Sequence, residues 1–311
     1  MKLLNVENHF LDISELHRVH VIEAGNRQGP CVVFMHGGPG AGVNEKLINY
    51  IDCEYFHVLL IDQRGCGQSL PLGELRDNTL TSLISDVEVV REHFGINSWW
   101  VTGGSWGSFL ALNYAVKHRD CVKGLIVRGC FLGRQWELDW LYAPDGASRY
   151  YPEVWQLFVE NCPRKTRTEI LAFYMERLTS SDEAERWDAA KRWLAWASIS
   201  MGDITTLVAE SQSDSLIAKA TIMCHYLSND CFSRDSEHLL TQLTTMDNIP
   251  IWIAHGRLDV ICPPKTAWEL SQVHDNTYLT LLDGVGHSPA DTSICDALRD
   301  CFEKIKNDNQ V

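Results

Sequence analysis

The spacing of apolar positions changes along this chain, and the changes predict its elements. Residues 1–29 alternate polar and apolar and include Val19, His20, Val21 and Ile22, which predicts an antiparallel opening pair ending at Gly25 and Gly29–Pro30. Continuous apolar runs follow at 31–35, 58–61 and 99–101, as expected of strands buried on both faces, and a further strand is predicted at 124–128. A helical segment is expected after the first of these runs. A helix is predicted over 80–94, with Leu80, Leu83, Ile84, Val87 and Val90 on one face, and another from Trp106 to about Lys117. Buried strands alternating with helices argue for a mostly parallel sheet covered by helices on both faces.

After about residue 132 the pattern changes. The span carries Trp136, Trp140, Trp155, Trp187, Trp193 and Trp196, helical spacing over 182–197 and 216–227, and no buried-strand run. It predicts an inserted helical cap over residues 133–245, set on the carboxyl edge of a sheet built from residues 1–132 and 246–311. Alternation resumes with a strand at 249–254, a helix over 264–273, a last strand at 278–282 and a C-terminal helix. No internal repeat interrupts this order.

Composition narrows the function classes. With 311 residues and 45% hydrophobic content the chain can bury a large core. Its 27 basic against 41 acidic residues, net −14, disfavour nucleic acid and anionic membrane surfaces as partners. No apolar run reaches spanning length, and Met1–Glu7 carries no secretory hydrophobic region. The odd total of 11 scattered cysteines reads as buried thiols in a reducing cytoplasm. The expected partner is a small molecule or short peptide; the oligomeric state is left open.

The candidate chemistry centres on Gly103-Gly104-Ser105-Trp106-Gly107, between a strand and a helix. Gly-x-Ser-x-Gly in that setting is the nucleophile elbow of the α/β-hydrolase fold. The serine sits on a strained turn with its hydroxyl clear of the backbone. Side chains two residues to either side would collide with neighbouring strand and helix. A serine hydroxyl needs an adjacent base, usually a histidine oriented by a carboxylate. Asp259 and His287 follow late strands in the chain order this fold uses, so both fall at the sheet edge that holds Ser105. His36-Gly37-Gly38-Pro39-Gly40 resembles an oxyanion loop. Gly37 and Gly38 let backbone N–H groups approach the substrate, and the Trp106 N–H is the second donor. His36 is read as structural, and His255 as a support for Asp259. Cys66 and Cys262 lie in loops near the site without the elbow context. Residues 65–70 miss the third glycine of a dinucleotide fingerprint, and no Walker lysine or His-Glu-x-x-His is present, so no cofactor and no metal are expected.

Together the motifs resemble the proline iminopeptidase family of α/β-hydrolases. They are the His36–Gly40 run, Asp62-Gln63-Arg64-Gly65-Cys66-Gly67, the elbow, Arg128-Gly129-Cys130-Phe131-Leu132, Trp136-Glu137-Leu138-Asp139-Trp140, Gly146-Ala147-Ser148-Arg149, Gly256-Arg257-Leu258-Asp259 and Gly286-His287-Ser288. The resemblance spans nearly the whole chain. It implies a serine peptidase with a helical cap that releases an N-terminal proline. It carries triad roles to Ser105, Asp259 and His287, and places Arg128, Phe131 and Cys262 near the proline pocket. Members of the family hold the substrate amine with two cap glutamates. One follows a Trp-x-x-Trp pair; here Ala197 follows Trp196, or Met201 if the alignment slips one turn. The other precedes a short run ending in tyrosine; here Met223 takes its place ahead of Tyr226. An aromatic expected after Trp140 is Leu141. Asp203 and Glu210 are the candidates for compensating acids.

Three readings follow. One is a serine hydrolase acting through an acyl-enzyme on a more neutral amide or ester, thioesters, lactones and acyl transfer included. The second is an ordinary proline iminopeptidase with relocated acids. The third is a non-catalytic ligand receptor on a hydrolase scaffold.

Overall fold

The computed structural model describes residues 6–163, 165–199, 212–233 and 238–308. Strands β1 (Val6–Asp12) and β2 (Arg18–Gly25) open the chain. They are followed by β3 (Cys31–Met35), β4 (His57–Ile61), β5 (Trp99–Gly104), β6 (Val122–Arg128), β7 (Ile251–Gly256) and β8 (Thr277–Leu282). All eight form one sheet in the order β1-β2-β4-β3-β5-β6-β7-β8. β1, β2 and β4 pair antiparallel. From β4 onward every pairing is parallel. β3, β4 and β5 are buried at every position, which accounts for their unbroken apolar runs. Each fully buried aliphatic side chain there contributes roughly 1.5–3 kcal/mol.

Helices flank the sheet because their apolar stripes need a partner. α1 (Leu80–His93) starts where Thr79 caps the Ser82 N–H at 3.3 Å, and it buries Leu80, Leu83, Ile84, Val87 and Val90. α2 (Trp106–Lys117) shares that core. A second core on the other face joins Phe34, Tyr50 and Phe56 to the C-terminal helix through Leu298 and Phe302.

Between β6 and β7 the described residues form helices α3 (Gln135–Tyr142), α4 (Pro152–Phe158), α5 (Arg167–Leu178), α6 (Glu183–Ala197), α7 (Asp214–Ser228) and α8 (Leu239–Leu243). Aromatic rings hold them together. Tyr142 stacks on Trp193 at 5.4 Å, and Phe158 stacks on Tyr174 at 4.7 Å. Polar contacts tie these helices to the sheet elements. The Trp140 indole donates to the Val260 carbonyl at 2.7 Å, and the Tyr226 hydroxyl donates to Asn78 Oδ1 at 2.5 Å. α9 (Pro264–Leu270) and α10 (Thr292–Asp308) complete the fold. α9 ends three residues before the predicted limit, and the segment predicted as helix between β3 and β4 is a 3₁₀ turn, Glu45–Tyr50. Among the described residues no helix is long and apolar enough to cross a membrane.

Candidate active site

Ser105 sits at φ 58°, ψ −123°, between the last residue of β5 and the first of α2. A non-glycine residue held at such angles costs on the order of 1–3 kcal/mol, and packing fixes it. A Cβ on Gly103 would lie 2.3 Å from the Gly107 carbonyl oxygen, and one on Gly107 would lie 2.1 Å from the Met35 carbonyl oxygen. Only glycine at both positions lets helix, elbow and β3 close together. The Trp106 N–H, first in its helix, has no carbonyl acceptor within that helix.

Asp259 and His287 meet across the loops that follow β7 and β8. His287 donates from Nδ1 to Asp259 Oδ2 at 2.7 Å, which leaves Nε2 as the basic nitrogen. Asp259 Oδ1 accepts the Cys262 N–H at 2.8 Å. His255 supports this turn. Its Nδ1 accepts the Cys130 N–H at 3.0 Å, its Nε2 donates to the Cys262 carbonyl at 2.8 Å, and Nε2 lies 3.7 Å from Asp259 Oδ2. Burial pushes the Asp259 carboxyl up, but the two imidazoles and the Cys262 N–H outweigh it and leave the group below its ordinary value.

Ser105 Oγ lies 3.9 Å from Cys262 Sγ, and among the described residues no hydrogen bond joins it to His287. Ser105 and His287 face the same cavity, of about 720 Å³. Burial pushes the Cys262 thiol well above its ordinary value, so it is not ionised at neutral pH and is a poor rival nucleophile. Cys66 is buried and donates to the Arg64 carbonyl at 3.2 Å.

The glycine loop after β3 closes on the elbow: a Cβ on Gly37 would stand 3.6 Å from Ser105 Cβ. His36 is consumed in holding it. Its Nδ1 donates to the Gly37 carbonyl at 2.8 Å and its Nε2 accepts the Gln63 N–H at 3.1 Å. Sequence reasoning missed Gln63, whose side chain donates to the His36 carbonyl at 2.9 Å and accepts the Trp106 indole N–H at 2.8 Å. It also missed Asp62, which accepts the Val43 N–H at 2.6 Å and the Gln68 N–H at 2.9 Å. The signals for both were the polar pair ending a buried strand and the family motif at residues 62–67, neither of which assigned them a role.

Gly37, Gly38, Ser105, Trp106, Arg128, Phe131, Leu141, Trp196, Ala197, Met223, Cys262 and His287 all line the cavity. Asp259 lies behind His287. Tyr226, expected at the substrate, is a correction. It is fully buried beneath the Trp106 ring, 4.6 Å between centroids, and its hydroxyl is spent on Asn78. Tyr142 and Ser198 line the cavity and were not anticipated. Met201, Asp203 and Glu210 lie outside the described residues. The described lining contains no aspartate or glutamate; its Lys and Arg side chains are Lys46, Arg128 and Lys219.

A family model for the alpha/beta hydrolase fold matches residues 30–293. The chain is 39% identical to the proline iminopeptidase of Neisseria gonorrhoeae over 296 residues, covering 95% of each chain. It is 38% identical to that of Xylella fastidiosa (strain Temecula1) over 291 residues, covering 93% of each. Among solved structures it is similar to a proline iminopeptidase-related protein from Thermus thermophilus. The TM-score there is 0.60 at 20% identity, covering 96% of this chain and 98% of that one, a likeness that bears on the fold alone.

Proposed function

The chain belongs to the proline iminopeptidase family of α/β-hydrolases, and from that premise we propose that it is a serine hydrolase acting on amides or esters whose acyl part carries no free α-amine. Ser105 Oγ attacks the substrate carbonyl carbon while His287 Nε2 takes the hydroxyl proton. Asp259 keeps the proton of His287 on Nδ1 and stabilises the imidazolium. The Trp106 N–H and an N–H of the Gly37–Gly38 loop stabilise the oxyanion. His287 passes its proton to the leaving group, and water, activated by the same nitrogen, releases the acyl group. Residues 133–245 act as the cap that encloses the acyl part, over a core of residues 1–132 and 246–311.

The observation that supports the altered specificity is the absence of carboxylates from the described lining, which includes Ala197 and Met223, the positions to which the resemblance carries the family's cap glutamates, Met201 being the alternative to Ala197. An ammonium brought there loses its hydration without gaining a counter-charge. Losing a buried ionic partner costs about 3–5 kcal/mol, or roughly two to four decades in kcat/KM. A neutral group of similar size loses little and gains burial at roughly 25 cal/mol per Å². The test compares kcat/KM for proline naphthylamide and its N-acetyl form. Clear preference for the free amine would restore the second reading, release of N-terminal proline with acids supplied by residues such as Asp203 or Glu210.

A further inference from the structure

Arg128 ends β6 with its side chain laid against the elbow: a Cβ on Gly104, the residue before Ser105, would fall 2.5 Å from Arg128 Nε. Its hydrogen bond is a long one, from Nη1 to the His287 carbonyl at 3.2 Å. Among the described residues no carboxylate lies within salt-bridge distance of this guanidinium, whereas the buried Arg64 pairs with Asp86 and the buried Arg134 with Glu137 and Glu269. Asp259 acts on it only through space, since both its carboxylate oxygens are already engaged. Arg128 is half-buried, and desolvation disfavours its charged form, with Tyr50 and Asp259 opposing. The same cavity is lined by Tyr50, whose hydroxyl has no hydrogen-bond partner among the described residues. Burial pushes the Tyr50 phenol up, so it stays a neutral O–H donor.

The cavity lining draws on two packing clusters. Leu141, Trp196 and Met223 belong with the helices between β6 and β7, whereas Tyr50 and Leu298 belong with the C-terminal helix on the other face of the sheet. The apolar set suits an acyl group. On the other side Tyr50 offers a hydroxyl donor, and Arg128 at the end of β6 offers a guanidinium that, among the described residues, has one hydrogen bond and no carboxylate partner. A guanidinium fork matches a planar carboxylate.

We propose that Arg128, expected from the resemblance near the proline pocket, instead joins Tyr50 in binding a carboxylate on the leaving group, which makes the preferred substrate an N-acylated amino acid or a short blocked peptide. This rests on the hydrolase reading above. Hydrolysis breaks the acyl C–N bond, adds the hydroxyl of water to the acyl carbon and its hydrogen to the departing nitrogen. The products are a carboxylic acid and an amino acid or short peptide whose own carboxylate was the group held by Arg128.

Two matched pairs separate this question from that of the amine: N-acetylprolyl-glycine against N-acetylprolyl-glycinamide, and prolyl-glycine against prolyl-glycinamide. Preference between the series reports on the acyl side; preference within a pair reports on Arg128. Dissociation constants are measured by calorimetry on Ser105→Ala, which holds ligand without turnover, and kcat/KM on the intact enzyme. The acid of the better-bound pair is expected to exceed its amide by about tenfold or more in affinity. Arg128→Gln in the Ser105→Ala background should bring that ratio close to one, and Arg128→Lys should keep part of it. A purely structural Arg128 would weaken both members alike and leave the ratio unmoved. Equal affinity of acid and amide before any change at Arg128, or no binding of either, overturns the proposal whether or not the Arg128 variants fold.

Discussion

His287 donates a hydrogen bond from Nδ1 to Asp259 Oδ2 at 2.7 Å, and this contact fixes which imidazole nitrogen faces the cavity. The first prediction follows from it. Ser105→Ala abolishes covalent labelling by a fluorophosphonate probe. His287→Ala and Asp259→Asn slow labelling severely, the latter by roughly 10³–10⁴-fold, because an asparagine amide permits the wrong tautomer. Full labelling of Ser105→Ala would assign the nucleophile elsewhere.

The second prediction concerns the acyl pocket. Introducing Met223→Glu together with Ala197→Glu supplies two carboxylates to a wall whose described residues have none. The ratio of kcat/KM for free over N-acetylated proline naphthylamide should rise by about two decades relative to the unmodified enzyme. Circular dichroism and melting temperature establish that the double variant folds. An unchanged ratio in a folded variant means that these positions do not meet the substrate's nitrogen.

Backbone closure at the elbow gives a third. Gly107→Ala forces a methyl against the Met35 carbonyl oxygen, and the expected loss is on the order of 3 kcal/mol in denaturant titration. Gly95→Ala is the control. That glycine has φ +64° but nothing within 4 Å of an added Cβ, so only the backbone penalty of about 1–2 kcal/mol applies. Equal losses would show that the crowding at Gly107 relaxes at little cost.

A fourth prediction is pH-dependent. Burial lowers the His255 pKa below its ordinary value, with Asp259 opposing, and burial likewise lowers His36 and His225. Unfolded, these imidazoles take up protons near pH 6.5. The unfolded state therefore binds more protons between that value and the lower folded values, and stability falls as pH drops below about 6.5. Melting temperature should decline from pH 8 to pH 5, and His255→Gln should flatten part of the decline. A parallel curve for that variant would remove His255 from the account.

The strands were legible in the sequence because burial on both faces leaves unbroken apolar runs such as Cys31–Met35. The elbow was legible because its glycines answer a local steric demand. Contacts between distant segments left less trace. Nothing near Tyr226 in sequence says that its hydroxyl is spent on Asn78, 148 positions away. Nothing beside Gln63 announces that it braces both the Gly37 loop and Trp106. Arg128 was visible only through the motif around it, since a missing counter-charge is a property of the packed fold.

The strand order has a consequence for how the protein comes into being. Arg128 and the His287 carbonyl are 159 positions apart and touch because β7 and β8, late in the chain, add to the sheet beyond β6. Such non-local pairing is slow to form. A chain still being synthesised, or one stalled before β8 pairs, would then hold the elbow and most of its helices yet lack His287, the base proposed for Ser105. On refolding from denaturant, recovery of probe labelling should therefore lag behind recovery of helical signal, so that hydrolytic competence marks the arrival of the last strand and keeps the nascent chain chemically silent until then.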